Sequence, residues 1–236
     1  MTADAAMVMA AGLGTRLRPF TATSPKAMVP VQGKPIIDHV LDRLAREGIA
    51  RAIVNLHHLG DVLRAHLVGR KVPHLTFSDE PVVLETGGGL KQAMPLLGPD
   101  PFFTINAKII WSGRPLASLR AGWNPEAMDA LLLLIPREQA VGYEGPGDFA
   151  LRSDGRLHRR GEDGTAPHVY SGISLCHAPL LAETPAGAFS LNLPWDRAMR
   201  AGRLFGLVHD GDWFQISTLN QWQTVERVLA EREIAL

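Results

Sequence analysis

The chain is short of several features, and each shortage closes a class of explanation. It has a single cysteine, Cys176, so it forms no internal disulfide and no multi-cysteine metal site. Neither sign of charge is in excess, with 24 Lys and Arg against 24 Asp and Glu. A general nucleic-acid or anionic-membrane binder needs a net basic face, so neither partner is expected; a local basic pocket is compatible with this balance. No uncharged apolar run reaches the roughly 18 residues of a membrane-spanning helix. Asp4 sits among the first residues and no basic segment precedes the apolar stretch that follows. No secretory signal is therefore read, and a cytoplasmic protein is expected. There is no internal repeat, low-complexity tract or linker, and the Pro/Gly-rich stretch Gly142 to Gly147 is too short to separate domains. The 236 residues are read as one domain, 1–236, within the range of a large α/β unit. The sequence sets no oligomeric state.

Strand-like and helix-like segments alternate, which predicts a mainly parallel sheet covered by helices. Strands are expected at Ala5 to Ala10, Ala52 to Leu56, Leu75 to Ser78, Phe102 to Asn106, Leu131 to Pro136, Tyr170 to Cys176 and Leu204 to Val208. Helices are expected at Ile36 to Glu47, Gly60 to Leu67, Thr86 to about Leu96, Leu191 to Ala201 and Gln221 to Arg232. In the first helix Ile36, Ile37, Val40, Leu41 and Leu44 recur at helical spacing, and Gly48 stops it. A hairpin is expected around Ser153-Asp154-Gly155, within a small β insertion near residues 141 to 176. Cys176 and the five tryptophans read as core residues. His57 and His58 are adjacent on a strand and face opposite ways, so they read as loop or packing residues rather than a metal pair.

The distinctive stretch is Met9-Ala10-Ala11-Gly12-Leu13-Gly14-Thr15-Arg16-Leu17-Arg18-Pro19, followed by Pro25-Lys26. An apolar strand runs into a glycine loop with two arginines, and a lysine follows. Glycines let backbone approach a ligand, and successive N–H groups form an anion-binding nest. Arg16 and Lys26 add charge-assisted hydrogen bonds to phosphate. The loop is neither a P-loop, G-x-x-x-x-G-K-[ST], nor the dinucleotide motif G-x-G-x-x-G. A second motif is Glu80-Pro81-Val82-Val83-Leu84-Glu85-Thr86-Gly87-Gly88-Gly89. Three glycines at a helix start offer N–H groups and room for a flat group, with Thr86 suited to cap the helix. The glycine loop, the Gly87–Gly89 turn and Asn106 to Lys108 all fall at carboxyl ends of expected strands, where doubly wound sheets bind ligands.

The run G-x-G-T-R-L-R-P with a following S-P-K resembles the signature of the sugar-1-phosphate nucleotidyltransferases. Most similar are those acting on N-acetylmuramate 1-phosphate, for which a Leu-Glu-Thr-Gly-Gly-Gly turn is expected. The likeness extends through Ile53 to Gly60, Gly145-Pro146-Gly147-Asp148-Phe149 and Tyr170-Ser171-Gly172-Ile173. It implies a three-layer Rossmann-like nucleotidyltransferase fold with a mixed, mainly parallel sheet. It also implies an enzyme of nucleotide-sugar biosynthesis in peptidoglycan recycling. In the implied reaction an oxygen of the sugar phosphate attacks the α-phosphorus of UTP and pyrophosphate leaves, with no covalent intermediate. Arg16 is assigned to the β/γ-phosphates and Lys26 to the α-phosphate or sugar phosphate. Ala11, Gly12, Gly14 and Thr15 line the nucleotide, and Glu85, Thr86 and Gly87 lie near base and ribose. Asn106, Asp148, Ser171 and Gly172 contact the sugar.

Two positions depart from that family. Its Asn-x-Asp element is Asn106-Ala107-Lys108 here, and its aromatic-x-Asp-x-Gly-Thr element is Trp213-Phe214-Gln215-Ile216-Ser217-Thr218. The resemblance implies Mg²⁺ held by the two aspartates. Lys108 is a cation with no acceptor, and Gln215 offers an uncharged amide oxygen, so Mg²⁺ binding by this chain is doubtful. Asp210 and Asp212 lie nearby in sequence but would serve only through a changed loop. Lys108 is able to pair with a phosphate and replace some of the metal's charge. Three readings follow: an impaired uridylyltransferase, a nucleotide-sugar-binding protein with little or no catalysis, and a guanylyltransferase for a mannose- or heptose-type phosphate.

Overall fold

The computed structural model describes residues 3–98, 101–161, 164–232 and 234. Strand β1 (Ala5–Met9) leads through short 3₁₀ turns to a small ribbon, β2 (Pro30–Val31) and β3 (Lys34–Pro35), and to helix α1 (Ile36–Arg46). There follow β4 (Arg51–Leu56), α2 (Gly60–Leu67), β5 (His74–Asp79), α3 (Glu85–Leu97) and β6 (Phe102–Asn106). Next come β7 (Ile109–Trp111), α4 (Pro115–Gly122), β8 (Ala130–Pro136), β9 (Phe149–Leu151), β10 (Leu157–Arg159) and β11 (His168–Cys176). The chain closes with α5 (Asn192–Arg200), β12 (Leu204–Val208), β13 (Trp213–Gln215) and α6 (Leu219–Arg232).

The sheet runs β12-β8-β11-β6-β1-β4-β5, with β9 and β10 joined at one end of β11. β1 lies parallel to both β4 and β6, β4 parallel to β5, and β8 parallel to β12. Only β11 runs against its neighbours β6 and β8 among these seven. The fold is thus mainly parallel, as the alternation predicts, and the mixed Rossmann-like sheet that the resemblance implies.

Side chains of successive strand residues fall on opposite faces, and both faces are covered. Ala6, Val8, Ala52, Val54, Phe103 and Ile105 join the core under α1, with Ile36, Ile37, Val40 and Leu41. Ala5, Met7, Ile53 and Phe102 join the opposite core with Leu90 and Ala93 of α3 and Trp195 of α5. That two-sided burial explains why the strands read as continuous apolar runs rather than alternating ones. Cys176 is buried, as are Trp111, Trp195 and Trp213, while Trp123 and Trp222 pack half-buried against the core.

One boundary differs from expectation. The insertion is the β9–β10 hairpin, tied to the sheet at Phe149↔His168. Residues 168–176 form a central strand, buried on both faces, rather than a segment of the insertion. The three-residue strands of the β7–β13 ribbon are too short for periodicity to reveal them, and helix α4 is not among the helices expected from the sequence.

Because β1 connects outward to β4 on one side and pairs with β6 on the other, the carboxyl ends of β1 and β6 form a switch point. The loops after these strands open a crevice there.

Candidate active site

The floor of the crevice is a polar network. Asn55, at the end of β4, accepts hydrogen bonds from the backbone N–H groups of Ala10 (2.6 Å) and Ala11 (3.2 Å). Its amide donates to Glu80 Oε1 at 2.7 Å, and Glu80 Oε2 accepts from Leu84 N at 3.1 Å. Asn55 and Glu80 are both buried. A satisfied network of this kind in a low-dielectric interior holds its members in one arrangement. It ties the glycine loop to the turn before α3. The lone polar residue in the apolar run Ala52 to Leu56 is the signal that points to it.

Gly14 sits at φ +66, and a Cβ there would lie 2.9 Å from both Lys26 Cβ and Thr21 Cγ2. Its carbonyl accepts from Thr21 Oγ1 at 2.7 Å. The glycine is required for the loop to close over Lys26, which is how Arg16 and Lys26 come to the same crevice. Gly14 and Thr15 themselves are not among the residues lining it.

The crevice has two compartments. Ala11, Gly12, Lys26, Glu85 and Thr86 line the first, of about 230 Å³. Arg16, Asp148, Ser171 and Gln215 line the second, of about 260 Å³, together with Tyr143, Ser217 and Gln221. Asn106 and Lys108 line both, so they mark the junction. Asn106 fits closely because Gly172, at φ +89 in a bulge of β11, has no Cβ; one there would lie 2.9 Å from Asn106 Nδ2. Gly172 therefore seats Asn106. Asp148 Oδ2 accepts from Tyr170 N at 2.9 Å, and Ser171 O accepts from Trp213 Nε1 at 2.8 Å.

Three cations converge here. Lys26 and Lys108 are half-buried and Arg16 is exposed. Among the described residues none of the three side chains has a hydrogen-bonded or ion-paired partner. Burial, then the charges of Lys108 and Arg16, push the Lys26 ammonium down to about 7. Burial and Arg16 also lower Lys108, against the pull of Asp148. Three cations held together against the single carboxylate Asp148 make a site for a polyanion.

Two expectations at the glycine turn are corrected. Thr86 is not the cap of α3: Leu84 holds that position, Glu85 follows at φ +58, and Thr86 Oγ1 accepts from Leu191 N. The first two of the three glycines do not offer open N–H groups. Gly87 and Gly88 both donate to Phe189 O, at 2.8 and 3.1 Å. A Cβ would meet Phe189 at Gly87, Gly187 O at Gly88 and Glu80 Oε1 at Gly89. The turn is glycine-rich because the loop before α5 and the Glu80 carboxylate pack directly on its backbone.

Lys108, just before β7, and Gln215, the last residue of β13, both line the second compartment at one end of the β7–β13 ribbon. Gln215 pairs with Ile109, and Ile216 N donates to Lys108 O at 2.9 Å. Asp212 points away; it pairs with Ser112 and lies 3.8 Å from Arg232 Nη1. Asp210 is fully exposed, and both line a separate cavity. Mg²⁺ demands hard oxygen donors in octahedral array. The site offers an ammonium, an amide, the Ser217 hydroxyl and a single carboxylate, Asp148, which already accepts from Tyr170 N and faces the charge of Lys108; no group of three His, Cys, Asp or Glu suited to a metal exists among the described residues. These residues do not fit a divalent ion. His57 Nδ1 lies 2.8 Å from Glu80 O, a packing role.

Sequence reading missed Asn55, Glu80, Tyr143, Ser217 and Gln221. Asn55 carried a local signal, and Glu80 and Ser217 lay within quoted motifs without being given a role.

A model of the family described as nucleotidyl transferase matches residues 5–143. The chain is 41% identical over 234 residues to N-acetylmuramate alpha-1-phosphate uridylyltransferase of Caulobacter vibrioides, covering 96% of this chain and 97% of that one. It is 32% identical over 219 residues to the protein of the same name from Neisseria meningitidis, covering 91% and 93%. A mannose-1-phosphate guanyltransferase of Aspergillus fumigatus is 37% identical over 110 residues, which covers 44% of this chain and 30% of that one. In structure, the chain resembles HddC from Yersinia pseudotuberculosis complexed with GMP-PN, with TM-score 0.78, 21% identity and coverage of 95% and 99%.

Proposed function

The chain belongs to the nucleotidyl transferase family, and from that premise we propose that it transfers UMP from UTP to N-acetylmuramate 1-phosphate, releasing pyrophosphate. One observation carries the reading: two compartments meet at Asn106 and Lys108, with Lys26 in the first, Arg16 in the second and Lys108 between them, near enough for their charges to act on one another. Nucleotidyl transfer needs that layout, with nucleotide in one compartment, sugar in the other and the reacting phosphates where they join. The two relatives that match over nearly their whole length support the choice of base and sugar.

Arg16 binds the β/γ-phosphates and the leaving pyrophosphate. Lys26 neutralises the α-phosphate or the sugar phosphate. The backbone of Ala11 and Gly12 borders the nucleotide, with Glu85 and Thr86 near base and ribose. Asn106, Asp148 and Ser171 contact the sugar. Gly14, Gly87 and Gly172 serve by allowing the close packing that places these groups, and Thr15 by following Gly14 in the same turn. Catalysis of phosphoryl transfer rests on charge stabilisation and on holding the attacking and leaving oxygens in line. Nucleotidyltransferases generally use Mg²⁺ for both. Here a flexible ammonium supplies charge but orients poorly, so turnover is slow.

The test is pyrophosphate release from UTP plus N-acetylmuramate 1-phosphate, beside GTP plus mannose 1-phosphate. The expected result is slow release with the first pair, and a gain on the order of 10³-fold with Mg²⁺ in the Lys108→Asp/Gln215→Asp variant. Faster release with the second pair would favour guanylyl transfer. The Lys108 and Gln215 replacements also favour a second reading, a nucleotide-sugar-binding protein; UTP binding without any release would establish it.

A further inference from the structure

Lys108 and Gln215 line the second compartment together with Ser217. The β7–β13 ribbon holds Lys108 and Gln215 at one end, through the Gln215↔Ile109 pairing and the Ile216 N–H to Lys108 O bond of 2.9 Å. Two residues on, Ser217 is 4% exposed, lines the second compartment, and its Oγ has no hydrogen-bond partner. Its backbone is fixed: Ser217 N donates to Gln221 Oε1 at 2.8 Å, and Gln221 is itself buried. A buried hydroxyl left unpaired is costly, and a ligand oxygen would satisfy it. An ammonium, an amide N–H₂ and a hydroxyl are all donors toward an oxyanion, whereas a divalent cation beside Lys108 would meet like charge at short range.

We propose that this trio binds a phosphate oxygen of the ligand directly, so that the chain holds a nucleoside triphosphate free of any divalent ion, with Lys108 in the place of the metal. The inference rests on the proposed nucleotide site and adds its mode of phosphate recognition. Magnesium bound to the triphosphate cancels charge that Arg16, Lys26 and Lys108 would otherwise meet, so the metal complex is the poorer ligand.

The experiment is calorimetric titration of the full chain with UTP, in EDTA and in excess Mg²⁺. Affinity in EDTA is expected to equal or exceed that in Mg²⁺. Lys108→Met should weaken binding in EDTA by about tenfold or more, the worth of one charge-assisted hydrogen bond, while Lys108→Arg retains most of it. Ser217→Ala should weaken it by several-fold. Lys108→Asp/Gln215→Asp should reverse the preference, making Mg²⁺ necessary. Near-ultraviolet circular dichroism of each variant separates lost binding from lost folding. Binding by the unmodified chain that is tenfold tighter with Mg²⁺, or unchanged affinity of folded Lys108→Met in EDTA, overturns the inference and leaves the nucleotide site standing. Absence of UTP binding in both solutions overturns the two together.

Discussion

At the scale of the residue, Lys26 has the most to say about conditions. Its ammonium is brought from the usual 10.5 down to about 7 by burial and by the charges of Lys108 and Arg16. In the free protein it is therefore partly neutral near pH 7. A polyphosphate favours the charged form and raises the value again, so binding takes up a proton between pH 7 and the ordinary lysine range. Lys108 is lowered too, with Arg16 against it and Asp148 in its favour, and adds to the uptake. UTP binding is expected to take up protons at pH 8 and almost none at pH 6, with affinity falling as pH rises past 7. Titration in two buffers of different ionisation heat measures this, and Lys26→Arg, charged throughout, should reduce the uptake. The free protein shows the same linkage in its stability. Between pH 7 and 10.5 the unfolded chain holds the proton that native Lys26 has released, so this group makes the fold more stable as pH rises. Arg16, Lys26 and Lys108 were all legible before the fold, because a cation's chemistry goes with its side chain. Their lack of direct ion pairs was not, since it depends on which carboxylates the fold brings near.

At the scale of the element, the start of α3 shows how a motif is recognised for one reason and shaped by another. The triple glycine stood out in the sequence as ligand-facing backbone. In the fold it is packed against Phe189, Gly187 and Glu80. Gly89→Ala places a Cβ 2.5 Å from Glu80 Oε1, and Glu80 cannot yield without releasing Asn55 and Leu84. The expected cost is about 1–3 kcal/mol, a drop of roughly 3–10 °C in melting temperature for a chain of this size. Thermal denaturation followed by circular dichroism checks it; an unchanged melting temperature would mean that the Asn55–Glu80 network is not rigid.

At the scale of the whole molecule, the sheet joins segments far apart in the chain, and binding at their junction should stabilise all of them. UTP at 100 times its dissociation constant in EDTA should add about 2.7 kcal/mol, seen as a rise of roughly 5–10 °C in melting temperature. No shift at saturating UTP would show that the ligand does not bind the native state preferentially. Much of this architecture was readable in advance. The apolar runs of β1, β4, β6 and β8, the helical spacing of α1 and the glycine loop are local patterns, and periodicity and residue chemistry act within a few residues. The junction itself was not readable. That Lys108 and Gln215 come to one compartment, that Ser217 keeps an unpaired hydroxyl, that Asn55 binds the loop after β1 and that Gly172 admits Asn106 are facts of strand pairing and close packing. Such contacts form between segments that no local window contains, and their geometry exists only once the sheet has closed over its two cores.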